Sequence, residues 1–294
     1  MEASDYPWLH RAANTASDKT QRKHFSLLGI QLGIFLLVGV LVAVPTWVLI
    51  SAQTANFLAE VAGVFLAAGL LIAAVTRQKK YEQAWFECRA VAESAKKLAW
   101  RYMMLLDPFT ADCVDADNRF LDGLEAVRTE RDIAGELAGQ EVDRTQLSER
   151  MKTVRSRSFD ERKVFYLVYR VADQREWYER RAKSNGRRAE WFFAGVLFIQ
   201  FVALTNLLFK GSGFVQFSAA GVLMTLAASF SAWAQARRYE ELSTAYSVAA
   251  EELTHLENLI ALAETETELS SRIASTEEAI SREHTSWKAR RRVR

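Results

Sequence analysis

Charged residues are absent or nearly absent from two stretches of this chain, and each stretch is long enough to carry a membrane hairpin. From Phe25 to Ala59 there is no charged residue at all. One bilayer crossing needs about 20 apolar residues, so this run predicts a first span near 25–50 and the start of a second, near 55–76. The polar stretch from Ser51 to Asn56 is the natural turn between them. Further on, apolar residues dominate about 190–209 and 214–235, with Gly211-Ser212-Gly213 as the turn. Small residues at Gly29 and Gly33, and at Gly63 and Ala67, have the spacing that lets membrane helices approach closely.

Beyond each second span the pattern changes to mixed apolar and charged positions at helical spacing. No Gly or Pro interrupts residues 70–106, so the second span is expected to continue as one helix from 56 to 106, ending at Asp107-Pro108. Trp85, Phe86, Val91, Leu98, Trp100, Tyr102 and Met103 on that extension require a packing partner. Ser158-Phe159-Asp160-Glu161 fits a capping box at the start of a helix expected to run toward the third span, with Asn185-Gly186 as a point where it can bend.

The two hairpins share a pattern. Lys79-Lys80-Tyr81-Glu82 with Ala92-Glu93 is matched by Arg237-Arg238-Tyr239-Glu240 with Ala250-Glu251, both parts 158 residues apart (81 to 239, 93 to 251). The step from Tyr to Glu is about three helical turns. The chain therefore reads as a tandem, all-α, with four spans and long helices packed in a cytoplasmic bundle. The expected division is an N-terminal amphipathic segment (1–24), a first two-span unit (25–109), a polar linker (110–157), a second two-span unit (158–269), and a final helix with a basic tail (270–294).

Composition refines this picture. Hydrophobic residues make up 50% and charged ones 25% of 294 residues, and the mean hydropathy is −0.08, which suits separate apolar and charged blocks. With Ser212 in the outer turn, Lys210 alone among 38 Lys and Arg residues falls on the outer side. That asymmetry orients both termini toward the cytoplasm, as expected of a multi-pass membrane protein. The first two dozen residues are mostly polar and do not read as a signal peptide. Cys88 and Cys113 lack metal-site spacing and read as reduced thiols.

Chemistry-bearing patterns are sparse. No phosphate-binding loop, nucleophile elbow or zinc-protease motif occurs, so no enzyme activity, cofactor, metal or nucleic-acid partner is expected. Asp115-Ala-Asp117-Asn118-Arg119 begins like a calcium loop, but Arg119 and Phe120 replace a ligand and the needed Gly, and position twelve has no Glu. Glu60 is an acid near the outer end of the second span. It reads either as an interfacial charge tolerated by the helix dipole or as a pore-mouth group. Asn206 reads as an interhelical hydrogen bond or a conduction residue. Tyr81 and Tyr239 fit an aromatic belt, and together with Glu82, Glu93, Glu240 and Glu251 they also fit bundle contacts. Arg290, Arg291, Arg292 and Arg294 suit either anionic lipid or a free tail.

Arg162, Tyr166, Arg170, Asp173, Gln174, Trp177, Tyr178, Ala182, Asn185 and Ala189 together resemble the start of a SLATT unit, the SMODS and SLOG-associating two-TM effector domain. Tyr6-Pro7, Ala12-Ala13, Ser17 and Gln21-Arg22 are similar to another subfamily of that clan. Arg77, Tyr81-Glu82, Ala92-Glu93, Trp100-Arg101-Tyr102 and Pro108-Phe109 fit its post-membrane helix, and Glu283-His284 with Trp287 its ending. The resemblance implies a bacterial membrane effector of conflict systems that responds to nucleotide-type signals and acts by pore formation or membrane damage. It implies bilayer insertion, homo-oligomers and a sensor partner, although this chain carries no sensor domain of its own. The alternative is a membrane-anchored adaptor whose bundle recruits partners. Asp173, Gln174, Trp177 and Tyr178 are then candidate bundle contacts.

Overall fold

A computed structural model describes residues 1–131, 133–138 and 143–291, with side chains as far as 281. The described residues are 83% helical, with no strand among them. It separates into two compact units that do not follow the sequence halves. One comprises Met1–Gln21, Glu82–Ala182 and Thr244–Arg294; the other comprises Arg22–Tyr81 and Lys183–Ser243.

The second of these holds the two hairpins. Helix α1 (Trp8–Trp47) and helix α2 (Ala52–Lys79) form the first, joined where Ser51 accepts a hydrogen bond from the Thr54 amide. That side-chain cap supplies an acceptor for a helix-end N–H that has no partner inside the helix. Helix α8 (Asp173–Gly211) and helix α9 (Ala220–Arg237) form the other. Glycines admit neighbouring helices. A Cβ at Gly29 would meet the Trp233 ring at 3.4 Å, one at Gly69 would meet Ile34 at 3.4 Å, and one at Gly195 would meet Phe230 at 3.6 Å. Gly33 and Gly63 face open space, so the close approach expected from the Gly29/Gly33 spacing uses Gly29 alone. At the far end, the Trp47 indole N–H donates to the Ser218 carbonyl at 2.7 Å.

Three helical stretches, Trp8–Trp47, Ala52–Met103 and Phe159–Gly211, are long and apolar enough to cross a membrane. Helix α9 starts six residues later than the hydropathy pattern suggested and has only 18 residues, ending in Gln235-Ala-Arg237.

The other unit packs helix α3 (Tyr81–Met103), α4 (Ala116–Thr129), α5 (Ala134–Leu137), α6 (Glu149–Arg155), α7 (Phe159–Tyr166), α10 (Tyr239–Ala261) and α11 (Glu266–Arg291) around a large core and a smaller cluster. The first turns of α1 and α8 join them. Where the sequence suggested a separate N-terminal amphipathic helix, α1 runs without a break from Trp8, because nothing around Lys23-His24 stops it. Leu9, Ala12, Ala13 and Ala16 on that end share the core with Ala92, Ala95, Ala99 and Trp100 of α3. The stretch read as a polar linker contributes to the core as well. Phe120, Leu124, Met151 and Val154 are buried in it, while Asp122, Glu125, Arg128 and Lys152 are exposed and Arg131 pairs with Glu87 of α3. A second cluster joins Tyr178, Ala250, Leu253 and Ile280.

Two features depart from the uninterrupted helices expected from sequence. The helix predicted over 56–106 is broken. Lys80 takes a left-handed conformation with φ +48°, so α2 ends at Lys79, and α3 starts at Tyr81 and stops at Met103. Arg238 does the same between α9 and α10, with φ +53°. By contrast, α8 passes straight through Asn185-Gly186. A Cβ at Gly186 would come within 3.0 Å of the Ser243 hydroxyl, so the glycine serves a close approach there. Between α7 and α8 the chain makes a π-helical segment, Leu167–Ala172, after the capping box at Ser158.

Candidate functional site

The twin Tyr-Glu motif marks a pair of hinges. Lys80 and Arg238 are 158 residues apart, the same interval as the motif itself, and both carry the left-handed conformation. For a residue with a Cβ that conformation costs about 1–2 kcal/mol, and such strain gathers at switch regions. Each hinge tyrosine is met by a cation from the helix that precedes it in its hairpin. Lys23 on α1 lies 5.7 Å from the Tyr81 ring centre, and Arg188 on α8 lies 5.8 Å from that of Tyr239. Tyr239 is buried and stacks on Phe192 at 5.6 Å; Tyr81 is half-buried. The chain crosses between the compact units beside these hinges, at 81/82 and 243/244, and within α1 and α8 at 21/22 and 182/183.

Within the larger core sits a buried ion pair. Arg170, on the π segment, grips Glu277 of α11 through two hydrogen bonds, Nε to Oε1 at 2.8 Å and Nη2 to Oε2 at 2.7 Å. The Tyr166 hydroxyl donates to the same carboxylate at 2.9 Å. Both charges are almost fully enclosed, at 2% and 1% side-chain exposure, so the paired geometry is what makes them tolerable. Burial by itself lowers the pKa of Arg170, but the bound Glu277 outweighs it and holds the guanidinium well above its usual value. Burial pushes the Tyr166 hydroxyl well up, and the neighbouring Glu277 charge adds to it. Nearby, burial lowers the Lys96 ammonium to about 8, with Arg170 adding repulsion. It raises Tyr6 to about 12. Lys96 lies over the Tyr6 ring at 5.3 Å. His10 is held neutral by burial, near 4, and shares a 2.8 Å hydrogen bond with the Ala92 carbonyl.

More arginines fasten this core. Arg155 donates to the carbonyls of Tyr102 at 2.8 Å and Phe109 at 2.7 Å. The buried Arg162 pairs with Glu266 and donates to the Met104 carbonyl at 3.4 Å. Arg162, Tyr166 and Arg170 step by four along one helical face, a signal visible in the sequence. Their carboxylate partners lie more than a hundred residues away, so pairing could not be read from it.

The residues singled out from sequence fall in several places. Glu60 is exposed in the third turn of α2. Asn206 accepts a hydrogen bond from the Ala219 amide at 2.8 Å, which ties α8 to the start of α9. Glu82 and Glu240 occupy the first turns of α3 and α10. Glu93 pairs with Arg89 of its own helix at 2.9 Å, and Glu251 is exposed. Ala92 packs with the start of α1 and Ala250 with Tyr178 of α8, so each motif helix packs on the incoming helix of its own half. Trp177 and Tyr178 do meet α10, both against Tyr246, at 5.3 and 5.6 Å. Arg175 reaches Glu257 on α10 at 3.0 Å. Asp173 is exposed at the start of α8 and Gln174 half-buried. Arg292 and Arg294 lie outside the described residues, and of Arg290 and Arg291 only the helical backbone is described, as for Glu283, His284 and Trp287. Cys88 and Cys113 are free thiols. Among the described residues no group of three or more His, Cys, Asp or Glu side chains is placed to hold a metal.

Two family models match successive parts of the chain. The SMODS and SLOG-associating 2TM effector domain 3 matches residues 7–163. The chain belongs to the SLATT family. The SMODS and SLOG-associating 2TM effector domain 1 matches residues 166–287, so this SLATT protein is a tandem of two domains from different subfamilies. Each match contains one hairpin and one hinge. Membership makes it a membrane-associated effector of the conflict or defence type. No curated protein and no solved structure matches the chain.

Proposed function

We propose that this tandem SLATT protein is a non-enzymatic effector that oligomerises in the bacterial inner membrane and permeabilises it. All four hairpin helices cross the bilayer in this reading, α9 included, and both termini are cytoplasmic. The observation that carries it is the way the hairpins continue into the folded unit. Helices α1 and α8 run into it without interruption, and α2 and α9 reach it through the strained residues Lys80 and Arg238. A signal received by that unit, from a nucleotide-type ligand or a sensor protein, would alter the hinges and with them the tilt of α2 and α9. A change of this kind needs a ligand that binds one state better than the other. Helices as apolar as these enclose no polar path within one chain, so the pore forms between protomers, with Glu60 near its outer mouth.

The experiment is dye release from liposomes containing the purified protein over a range of densities, with and without candidate nucleotides. Release that grows steeply with protein density supports the reading, and Glu60→Gln should then change ion preference while insertion stays intact. Liposomes that remain sealed under every condition would remove pore formation. The adaptor reading has one observation in its favour. Val164, Val168 and Tyr169 are large and exposed along one face of the folded unit, a surface suited to a recruited partner.

A further inference from the structure

The basic end of the α8–α9 hairpin carries two guanidiniums that have no acidic partner among the described residues. Arg237, the last residue of α9, lies over Phe25 of α1 at 3.8 Å and over Trp233 at 4.9 Å. Its Nε is enclosed and has no hydrogen-bond partner. Arg188 lies over the Tyr239 ring at 5.8 Å and is close enough to act on Arg237 by charge repulsion. Among the described residues neither arginine forms an ion pair, although other arginines of this chain, from Arg89 to Arg272, do. The rings hold both side chains in place: Phe192 stacks on Tyr239 at 5.6 Å, and Phe25 packs on Trp233 at 6.1 Å. Arg188 is exposed and Arg237 half-buried, so the pair opens outward.

Two fixed, adjacent guanidiniums repel each other unless an anion lies between them, and their planar forks match phosphate oxygens. We propose that Arg188 and Arg237 bind the phosphate of an anionic phospholipid headgroup. The surroundings favour lipid over a soluble phosphate. Trp191 and Phe193 are 78% and 66% exposed beside Arg188, a cost in water but a normal arrangement at the boundary between acyl chains and headgroups. The rings under Arg237 belong to the apolar parts of α1 and α9, and Tyr239 under Arg188, the first residue of α10, stacks on Phe192 of α8. Arg238, the hinge residue, follows Arg237 directly, so the bound headgroup stands at the base of the second hinge. This assignment rests on α8 and α9 being a membrane hairpin but not on pore formation, and the test reads binding rather than leakage.

The test uses the full-length protein in nanodiscs of phosphatidylcholine alone or with phosphatidylglycerol, and follows thermal unfolding. Phosphatidylglycerol should raise Tm by about 4 °C, the size expected of a ligand at roughly ten times its Kd. Arg188→Gln with Arg237→Gln should abolish the rise. Arg77→Gln with Lys79→Gln removes the same charge from the first hairpin and should keep it. A rise that survives in the Arg188/Arg237 variant, or is lost equally in both, overturns the site. Inorganic phosphate that produces the same rise in phosphatidylcholine alone overturns the lipid source. Should the glutamine pair not fold, Arg188→Lys with Arg237→Lys keeps the charge and loses the fork. A diminished rise then supports the site, and an unchanged one overturns it.

Discussion

Glu277 offers the sharpest test at the scale of single residues. Removing one member of a buried pair leaves the other charge enclosed without compensation, which typically costs about 3–5 kcal/mol. Glu277→Ala should therefore lower the stability of the folded unit by that amount and strip protection from the α11 amides in hydrogen exchange. Replacing both partners together, Arg170→Met with Glu277→Leu, should recover most of the loss, since two apolar side chains need no pairing. A Glu277→Ala protein as stable as the parent would mean the pair contributes nothing. Tyr166 shares the same carboxylate, so its hydroxyl loses a partner in either variant. None of this pairing was legible in the sequence. The stripe Arg162, Tyr166, Arg170 stood out only through the family resemblance, and nothing local says that Glu277, 107 residues later, turns inward while Glu278 faces water.

The elements were legible to the extent that composition alone decides them. Uncharged runs marked the hairpins, and Ser158 with Glu161 marked the start of α7. The hinges stayed hidden because Lys80 and Arg238 are good helix formers, and left-handed positions are usually announced by glycine. The π segment stayed hidden because an extra residue within a helical turn leaves the polar pattern nearly unchanged. A substitution series separates a true hinge from a continuous helix. In a helix interior alanine is better than glycine by about 1 kcal/mol; at a left-handed position the order reverses. Thermal unfolding should therefore rank Lys80→Gly above Lys80→Ala and both above Lys80→Val, with intervals of about 2–4 °C per kcal/mol. The same ranking should hold at Arg238. The ordinary helical ranking at either position would mean that the hinge is absent there.

For the molecule as a whole, the distribution of basic residues makes the prediction. With four crossings and both termini inside, a cysteine placed at Ser212 should react with a membrane-impermeant reagent added to intact cells. Cys113 and a cysteine added near the C-terminus should stay protected. External labelling near the C-terminus would instead leave an odd number of crossings, with α9 outside the count. The tandem was readable because its motif repeats at one interval. The compact units were not, because they are interleaved: each draws on both halves of the sequence. That interleaving governs the order of events at the ribosome. The first hairpin is complete once residue 81 has been made, yet the folded unit that receives it stays open for another two hundred residues. Trp8 finds its hydrogen-bond partner only when Thr145 emerges, and Arg170 remains a lone cation until Glu277 is translated. A nascent chain thus carries its first hairpin well before the folded unit can close, because that unit waits for residues near the far end of the sequence.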